Sequence, residues 1–366
     1  MWLLGLFSSI SILLTVSGLH AQTNLAQVEN MQASPRRYGV MKTNMPIAID
    51  GKDDEKAWAL APWTEAFVDI EGDAKAVPVY TTKVKMLWDD THLFIYARME
   101  EPHVWGYLTK RDTIIYHDND FEIFIKPFEQ PSFYYEIEVN PLNTILDLVM
   151  PKPYRFGGDA LMHWDVKNLK SAVHVEGTLN DPDDTDQYWS IEMAIPFNSL
   201  TTFSRKAIPK LGDYWRINFS RVQWQHELND GAYSRKTKNN KLMPEDNWVW
   251  SPIGIINMHY PERWGYLKFI DSSDTEVAFP RSYDAEKAVW NIFYLQQLYK
   301  QEHKHFAAGI TELKGYQRLL DMDRTDLIYE IFSNRREAGY VVEVKDLKHR
   351  LTVTLDNFGH YTINYE

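Results

Sequence analysis

Tyr116, Glu122 and Glu138 are residue types that suit a polar, hydroxyl-rich ligand. A flat phenol ring can cover an apolar C–H face, and carboxylates can take hydroxyl groups. Glu122 lies in the run Asp120-Phe121-Glu122-Ile123-Phe124-Ile125. Strand alternation there puts Phe121, Ile123 and Ile125 on one face and Glu122 and Phe124 on the other. His117, Asp118, Asn119 and Asp120 form the loop that enters it. The stretch fits a ligand floor, and equally an ordinary sandwich strand after an acidic turn. Asn140, Arg221 and Gln223 are further polar candidates. Glu122 and Glu138 also suit structural ion pairs with Arg111 or Arg221.

Other chemistries leave weaker traces. A glycosidase needs two carboxylates roughly 5–10 Å apart. Glu122 and Glu138 on neighbouring strands can meet that, but so can many pairs in a chain with 51 acids. The sequence has neither a Gly-x-Ser-x-Gly elbow nor an HExxH helix, and it lacks a phosphate loop. Asp118 with Asp120, or Asp181, Asp183, Asp184 and Asp186, offer oxygens for Ca²⁺. Neither set has EF-hand spacing, so a solvated acidic loop is the simpler reading.

The elements that must position these residues are mainly strands. From residue 81 onward short alternating runs follow one another: 84–88, 93–99, 121–125, 133–139, 144–150, 172–179, 188–195, 214–222 and 265–269. Turn signals separate them, which points to a β-sandwich. Earlier, 38–43 reads as an edge strand, 47–49 as a short strand, and 53–61 as a helical turn stopped by Pro62. Trp58, Trp88 and Trp189 fit element periodicity and read as core. Two long loops, 151–168 and 223–260, interrupt the series; loops of that length in a compact domain are usually functional or disordered, and their Trp content argues against disorder. They hold Trp164, Trp224, Trp250, Met258 and His259, which join the candidates. After residue 271 the composition changes: 284–303 has helical spacing, 325–333 suits a helix or a strand, and 341–344, 351–355 and 361–365 read as a small meander. The expected fold is mainly β, a sandwich over 38–271, with a small C-terminal α+β appendage over 280–366.

The formal charge of -12 opposes nucleic acid as a partner. Residues 1–21 read as a signal peptide without a basic n-region, residues 22–37 as a leader, and no later run is long enough to span a bilayer. The absence of cysteine excludes disulfides and thiolate metal sites. An exported chain, periplasmic or extracellular, is expected.

Several motifs in order resemble family 9 carbohydrate-binding modules. Asp50-Gly51 with Asp54, Glu55, Ala57 and Trp58 is similar to that family's opening, and Leu87-Trp88-Asp89-Asp90 to its first hairpin. Asp120 to Ile125 resembles its central strand; Tyr135 to Asn140, Trp189 to Pro196 and Trp264 to Leu267 match later strands. The resemblance covers about residues 38–270. It implies a non-catalytic sugar-binding sandwich, often with structural calcium, in polysaccharide (xylan, plant or host glycan) breakdown or uptake. It places one clamp aromatic at Tyr116, the strand carboxylate at Glu122 and a neighbouring polar residue at Glu138. The second aromatic position falls on Met258, followed by His259, so Trp164, Trp224 or Trp250 is expected to supply that face. Two other classes stay open: a hydrolase acting on O-glycosyl bonds, and a haem-binding sandwich of similar fold with Met258 or His259 as ligand. The C-terminal appendage offers a surface for a protein partner.

Overall fold

The computed structural model describes residues 24–129, 132–202, 204–271, 277–334 and 339–366. The expected signal segment 1–21 lies outside these residues, as do Gln130 and Pro131 of one expected turn. Among the described residues no helix is long and apolar enough to cross a membrane.

One twelve-stranded sheet curls into two layers. Its main strands are β1 (Arg37–Lys42), β2 (Thr82–Trp88), β3 (His92–Glu100), β4 (Asp120–Lys126), β5 (Tyr134–Val139), β6 (Ile145–Met150), β7 (Lys170–Glu176), β8 (Tyr188–Pro196), β9 (Tyr214–Gln223), β10 (Asp246–Val249) and β11 (Gly265–Ile270). The order is β6-β5-β4-β9-β11-β1-β2-β3-β8-β7, with β10 paired to β9. Inward side chains of both layers meet in one core: Phe121, Ile123, Ile125, Ile137 and Phe219 from one, Met86, Ile95, Ile191 and Met193 from the other. Trp88 and Trp189 belong to that core, and Trp58 to a smaller cluster outside the second layer.

Three local expectations are corrected. The 38–43 run is not an edge: β1 pairs in parallel with β11 on one side and β2 on the other, so it stitches the two layers together. Residues 47–49 form no strand, because the Ala48 amide is taken by Glu55 Oε1 at 3.0 Å. The 223–260 stretch is not loop throughout. It holds β10 and two small hairpins, one of them pairing His226–Asn229 with Ala232–Arg235. Polar, exposed hairpins leave no apolar alternation to read.

The C-terminal part is a helix on a sheet. Helix α1 (Leu25–Asn30), inside the expected leader, packs with α2 (Tyr283–His303). Asp284 and Glu286 stand in the first turn of α2, and Lys300 and His303 in the last, as the helix dipole favours. Ala288, Val289, Ile292 and Leu295 of α2 meet Val342, Val344, Val353 and Leu355. Those come from β13 (Gly339–Asp346) and β14 (Leu351–Asp356), central in a sheet flanked by β12 (Leu327–Asn334) and β15 (Tyr361–Tyr365). The 325–333 run is therefore a strand.

Buried ion pairs join this unit to the sandwich. Arg216 on β9 meets Glu286 on α2 at 2.8 Å. Arg155 from the 151–168 loop meets Glu262 at 2.8 Å, and Glu262 also accepts the Tyr294 hydroxyl of α2. Removing one partner of a buried pair leaves the other charge desolvated. Glu286→Ala is expected to cost about 3–5 kcal/mol in chemical denaturation; an unchanged midpoint would show that the pair does not hold the unit in place.

Candidate functional site

The site follows from alternation. With Phe121, Ile123, Ile125, Tyr135, Ile137 and Val139 in the core, Asp120, Glu122, Glu136 and Glu138 must face outward from β4 and β5. Register sets Glu122 opposite Glu138 on one side and opposite Ser220 of β9 on the other. The loops and β10 cover this face with a second apolar cluster that includes Phe124, Tyr134, Met258 and Trp264, and all four carboxylates are buried.

Asp120, Glu122 and Glu138 each offer an oxygen within 4.8 Å of the others. At that separation two like charges repel by about 3 kcal/mol at an effective dielectric of about 20. The arginines expected as partners lie elsewhere. Arg221 faces the core side of β9 and binds Glu101 at 3.0 Å, Thr82 Oγ1 and the Glu100 carbonyl. Arg111 pairs with Asp147 and Asp165. Burial pushes Glu122 up to about 7. Burial and then the Glu122 charge push Glu138 up to about 8. Asp120 and Glu136 are raised well above the carboxylate range, chiefly by burial. Part of the cluster is thus protonated at neutral pH and can donate as well as accept hydrogen bonds.

Two tyrosines stand at its rim. Tyr116, 39% exposed, sits on the one-turn helix Ile115–His117. Its amide donates to Glu138 Oε2 at 3.3 Å, and its carbonyl accepts Trp224 Nε1 at 2.7 Å. Tyr154, 43% exposed, sits on the one-turn helix Tyr154–Phe156, which Gly157 ends with a left-handed φ of 72°. Burial, then the charges of Glu136 and Glu138, push its hydroxyl up to about 12, with a smaller contribution from Tyr116. Glu245 and Arg235, from the 223–260 segment, add charge near Tyr116.

The remaining candidates divide by role. His259 is at the site: its ring stands edge-on to Tyr154 at 4.6 Å and shares a 2.7 Å hydrogen bond with the Tyr134 hydroxyl. Asn140 is buried and shapes the loops, binding the Leu108 carbonyl, Asp118 Oδ2 and the amides of Leu142 and Thr144. Asp118 Oδ2 also holds the Tyr107 and Leu108 amides, so Asp118 is a loop anchor and Asp120, not Asp118, joins the carboxylate cluster. Gln223 accepts Arg221 Nε on the core side. Trp224 is buried behind Tyr116 and positions it through the carbonyl. Trp164 packs on Tyr135 at the core, and Trp250 is fully buried within it. Met258 is buried beside Trp264, whose Nε1 donates to its carbonyl. The expected tryptophan face is therefore absent from the site, and Tyr154 stands there instead. Neither Tyr154 nor Glu136 was expected from the sequence. The one available signal for Tyr154 was an aromatic three residues before Gly157-Gly158 in a long loop.

Residues 49–211 match the family model described as carbohydrate family 9 binding domain-like, a span that includes Tyr116, Glu122, Glu138 and Tyr154. No curated protein matches the chain. Similar solved structures include a protein from Bacteroides uniformis ATCC 8492 to which carbohydrate binding is ascribed, at 16% identity and TM-score 0.48, covering 64% of this chain and 100% of its own. Two others are a family 9 carbohydrate-binding module from Caldicellulosiruptor kristjanssonii. Its glucose complex has 15% identity and TM-score 0.42, covering 66% of this chain and 100% of that one. Its cellotriose complex has 16% and 0.41, covering 67% and 100%.

Burial, then the Arg155 charge, lower His259 from 6.5 to about 4. The folded protein therefore binds this proton later than the unfolded chain does. The neutral imidazole's contribution is complete above pH 6.5 and is lost as pH falls through 4. It amounts to about 3 kcal/mol. Denaturation curves between pH 7 and 4 are expected to converge for the wild type and His259→Gln, which has no such proton to take up. A constant gap would show that His259 does not titrate in this window.

Proposed function

We propose that this chain, whose residues 49–211 are a carbohydrate family 9 binding domain-like segment, is an exported, non-catalytic carbohydrate-binding protein. A saccharide lies between Tyr116 and Tyr154, with Glu122 and Glu138 beneath it. The observation that carries this reading is the placement of two half-exposed tyrosines beside one set of buried carboxylates. The rings cover C–H faces, and the carboxyl groups exchange hydrogen bonds with hydroxyls. A cluster of acids disfavours uronates and sulfated sugars, so the ligand is a neutral pyranose unit. The protein serves the breakdown or uptake of plant or host polysaccharide, in the periplasm or outside the cell, after removal of residues 1–21.

Tryptophan fluorescence is a suitable readout, because the Trp224 indole is bonded to the Tyr116 carbonyl. The chain from Gln22 onward is expected to bind a neutral oligosaccharide saturably and to release no reducing sugar from it. Tyr116→Ala and Tyr154→Ala each remove a ring and leave the backbone bonds in place. Each is expected to weaken binding by about tenfold, on the order of 1–2 kcal/mol. Trp164→Phe, at the core, leaves affinity unchanged. Binding that survives both tyrosine substitutions would place the ligand elsewhere.

A further inference from the structure

We infer that the paired imidazoles of His103 and His226 are a pH-sensitive latch: neutral, they hold the hairpin of residues 226–235 against the sandwich, and with both protonated they release it and loosen Tyr116. The latch is read first without sugar; its effect on affinity rests on the saccharide reading above.

Alternation in the hairpin builds the contact. His226 stands opposite Arg235, and Trp224 and Tyr233 lie two residues from them, so these four side chains share one face. That face meets the segment that follows β3. Val222, Trp224 and Tyr233 enclose Trp105 in an apolar cluster, with the Tyr233 and Trp105 rings stacked at 6.4 Å. His103, two residues before Trp105, sits against the polar rings of the hairpin. Its ring lies 4.7 Å from that of His226, and His226 stands edge-on to Tyr233 at 5.1 Å. The Tyr233 hydroxyl donates to the Asp181 carbonyl at 3.2 Å, so its oxygen accepts from His103 Nδ1 at 2.9 Å. Both imidazoles are half-buried.

The charges around the pair divide between its two ends. Glu101, Asp181, Asp184 and Asp186 stand on the Tyr233 side. Lys236 and the cross-strand Arg235 stand on the His226 side. One proton on the pair is accommodated beside the acids. A second, on His226, meets a like charge across 4.7 Å and Lys236 as well. Burial, then His103 and Lys236, lower His226 from 6.5. The neutral ring's contribution is therefore complete above pH 6.5 and is lost as pH falls through the lower folded value.

The base of the hairpin reaches the cleft. Arg235 lies over the Trp224 ring at 4.8 Å. Trp224 donates from its amide to Asn119 Oδ1 and from Nε1 to the Tyr116 carbonyl, both at 2.7 Å. A hairpin that lifts takes Arg235 from Trp224, and with it a support of Tyr116.

Hydrogen exchange of the 226–235 amides tests the latch in the chain from Gln22 onward. Between about pH 7.5 and 5, protection of these amides is expected to fall about tenfold in the wild type, while that of β2 is unchanged. This range lies above the titration of His259 at about 4. His226→Gln and His103→Gln each keep a neutral polar side chain and are expected to retain their protection throughout. Affinity for soluble xylo- and cello-oligosaccharides, read by tryptophan fluorescence, is expected to fall about threefold further in the wild type than in either variant. Titration of Glu122 and Glu138 is common to all three proteins and cancels in that comparison. No loss of protection in the wild type, or an equal loss in all three, overturns the inference. Parallel affinity curves overturn the link to Tyr116. A hairpin that opens as expected in a protein that binds no oligosaccharide at any pH keeps the latch and overturns the saccharide reading.

Discussion

A strand cannot bury one set of side chains without presenting the alternate set on its other face, and this constraint shapes the whole molecule. The core needs Phe121, Ile123 and Ile125 from β4 and Tyr135, Ile137 and Val139 from β5. Asp120, Glu122, Glu136 and Glu138 are thereby forced onto the opposite face. In many sandwiches such a face is open to water, which would screen the charges. Here it is covered by loops, by β10 and by a second apolar cluster. The four acids are therefore buried close together, and their mutual repulsion is offset by the apolar packing on both sides of the sheet.

The covering layer is fixed in turn by ionic contacts at its margins. Arg155 runs from the 151–168 loop to Glu262 and to the His259 carbonyl, so one side chain ties the loop bearing Tyr154 to the segment bearing His259. Tyr294 of α2 joins the same group, and Arg216 with Glu286 adds a second tie. The C-terminal unit thus braces the layer that covers the acids. Tyr116 is held differently, by its own backbone: its amide is bonded to Glu138 and its carbonyl to Trp224. Tyr116 is thus positioned by hydrogen bonds to its main chain and the acids by strand register, which leaves the Tyr116 ring half-exposed.

Arginine is distributed in the same economy of charge. Arg221, although on a strand bordering the site, points to the core side because it is in register with Phe121, and there it neutralises Glu101. The even-numbered neighbours on β9, Ser220 and Val222, take the site face. One residue of offset separates a cation that could have quenched the cluster from one that cannot reach it.

The sequence by itself determined the strands, and hence the floor. Period-two alternation is local, so β4, β5, β8 and β9 were legible to within a residue or two, and Glu122 beside Glu138 followed from two such runs being neighbours. The spacing of Ala288, Ile292 and Leu295 likewise announced α2. Only the tertiary structure decided which loop side chains reach the site. A tryptophan in a long loop can cover the core, prop a neighbour or face a ligand, and composition does not distinguish these. Trp164 and Trp250 went to the core, Trp224 went behind Tyr116, and Tyr154 stayed half-exposed near the acids. Tyr154 owes its position to contacts remote in sequence, such as Arg155 to Glu262 and its own ring against His259. That no arginine or lysine among the described residues forms a salt bridge with Asp120, Glu122 or Glu138 is also a tertiary fact. It depends on where every arginine ends up, and no single stretch of sequence contains that information.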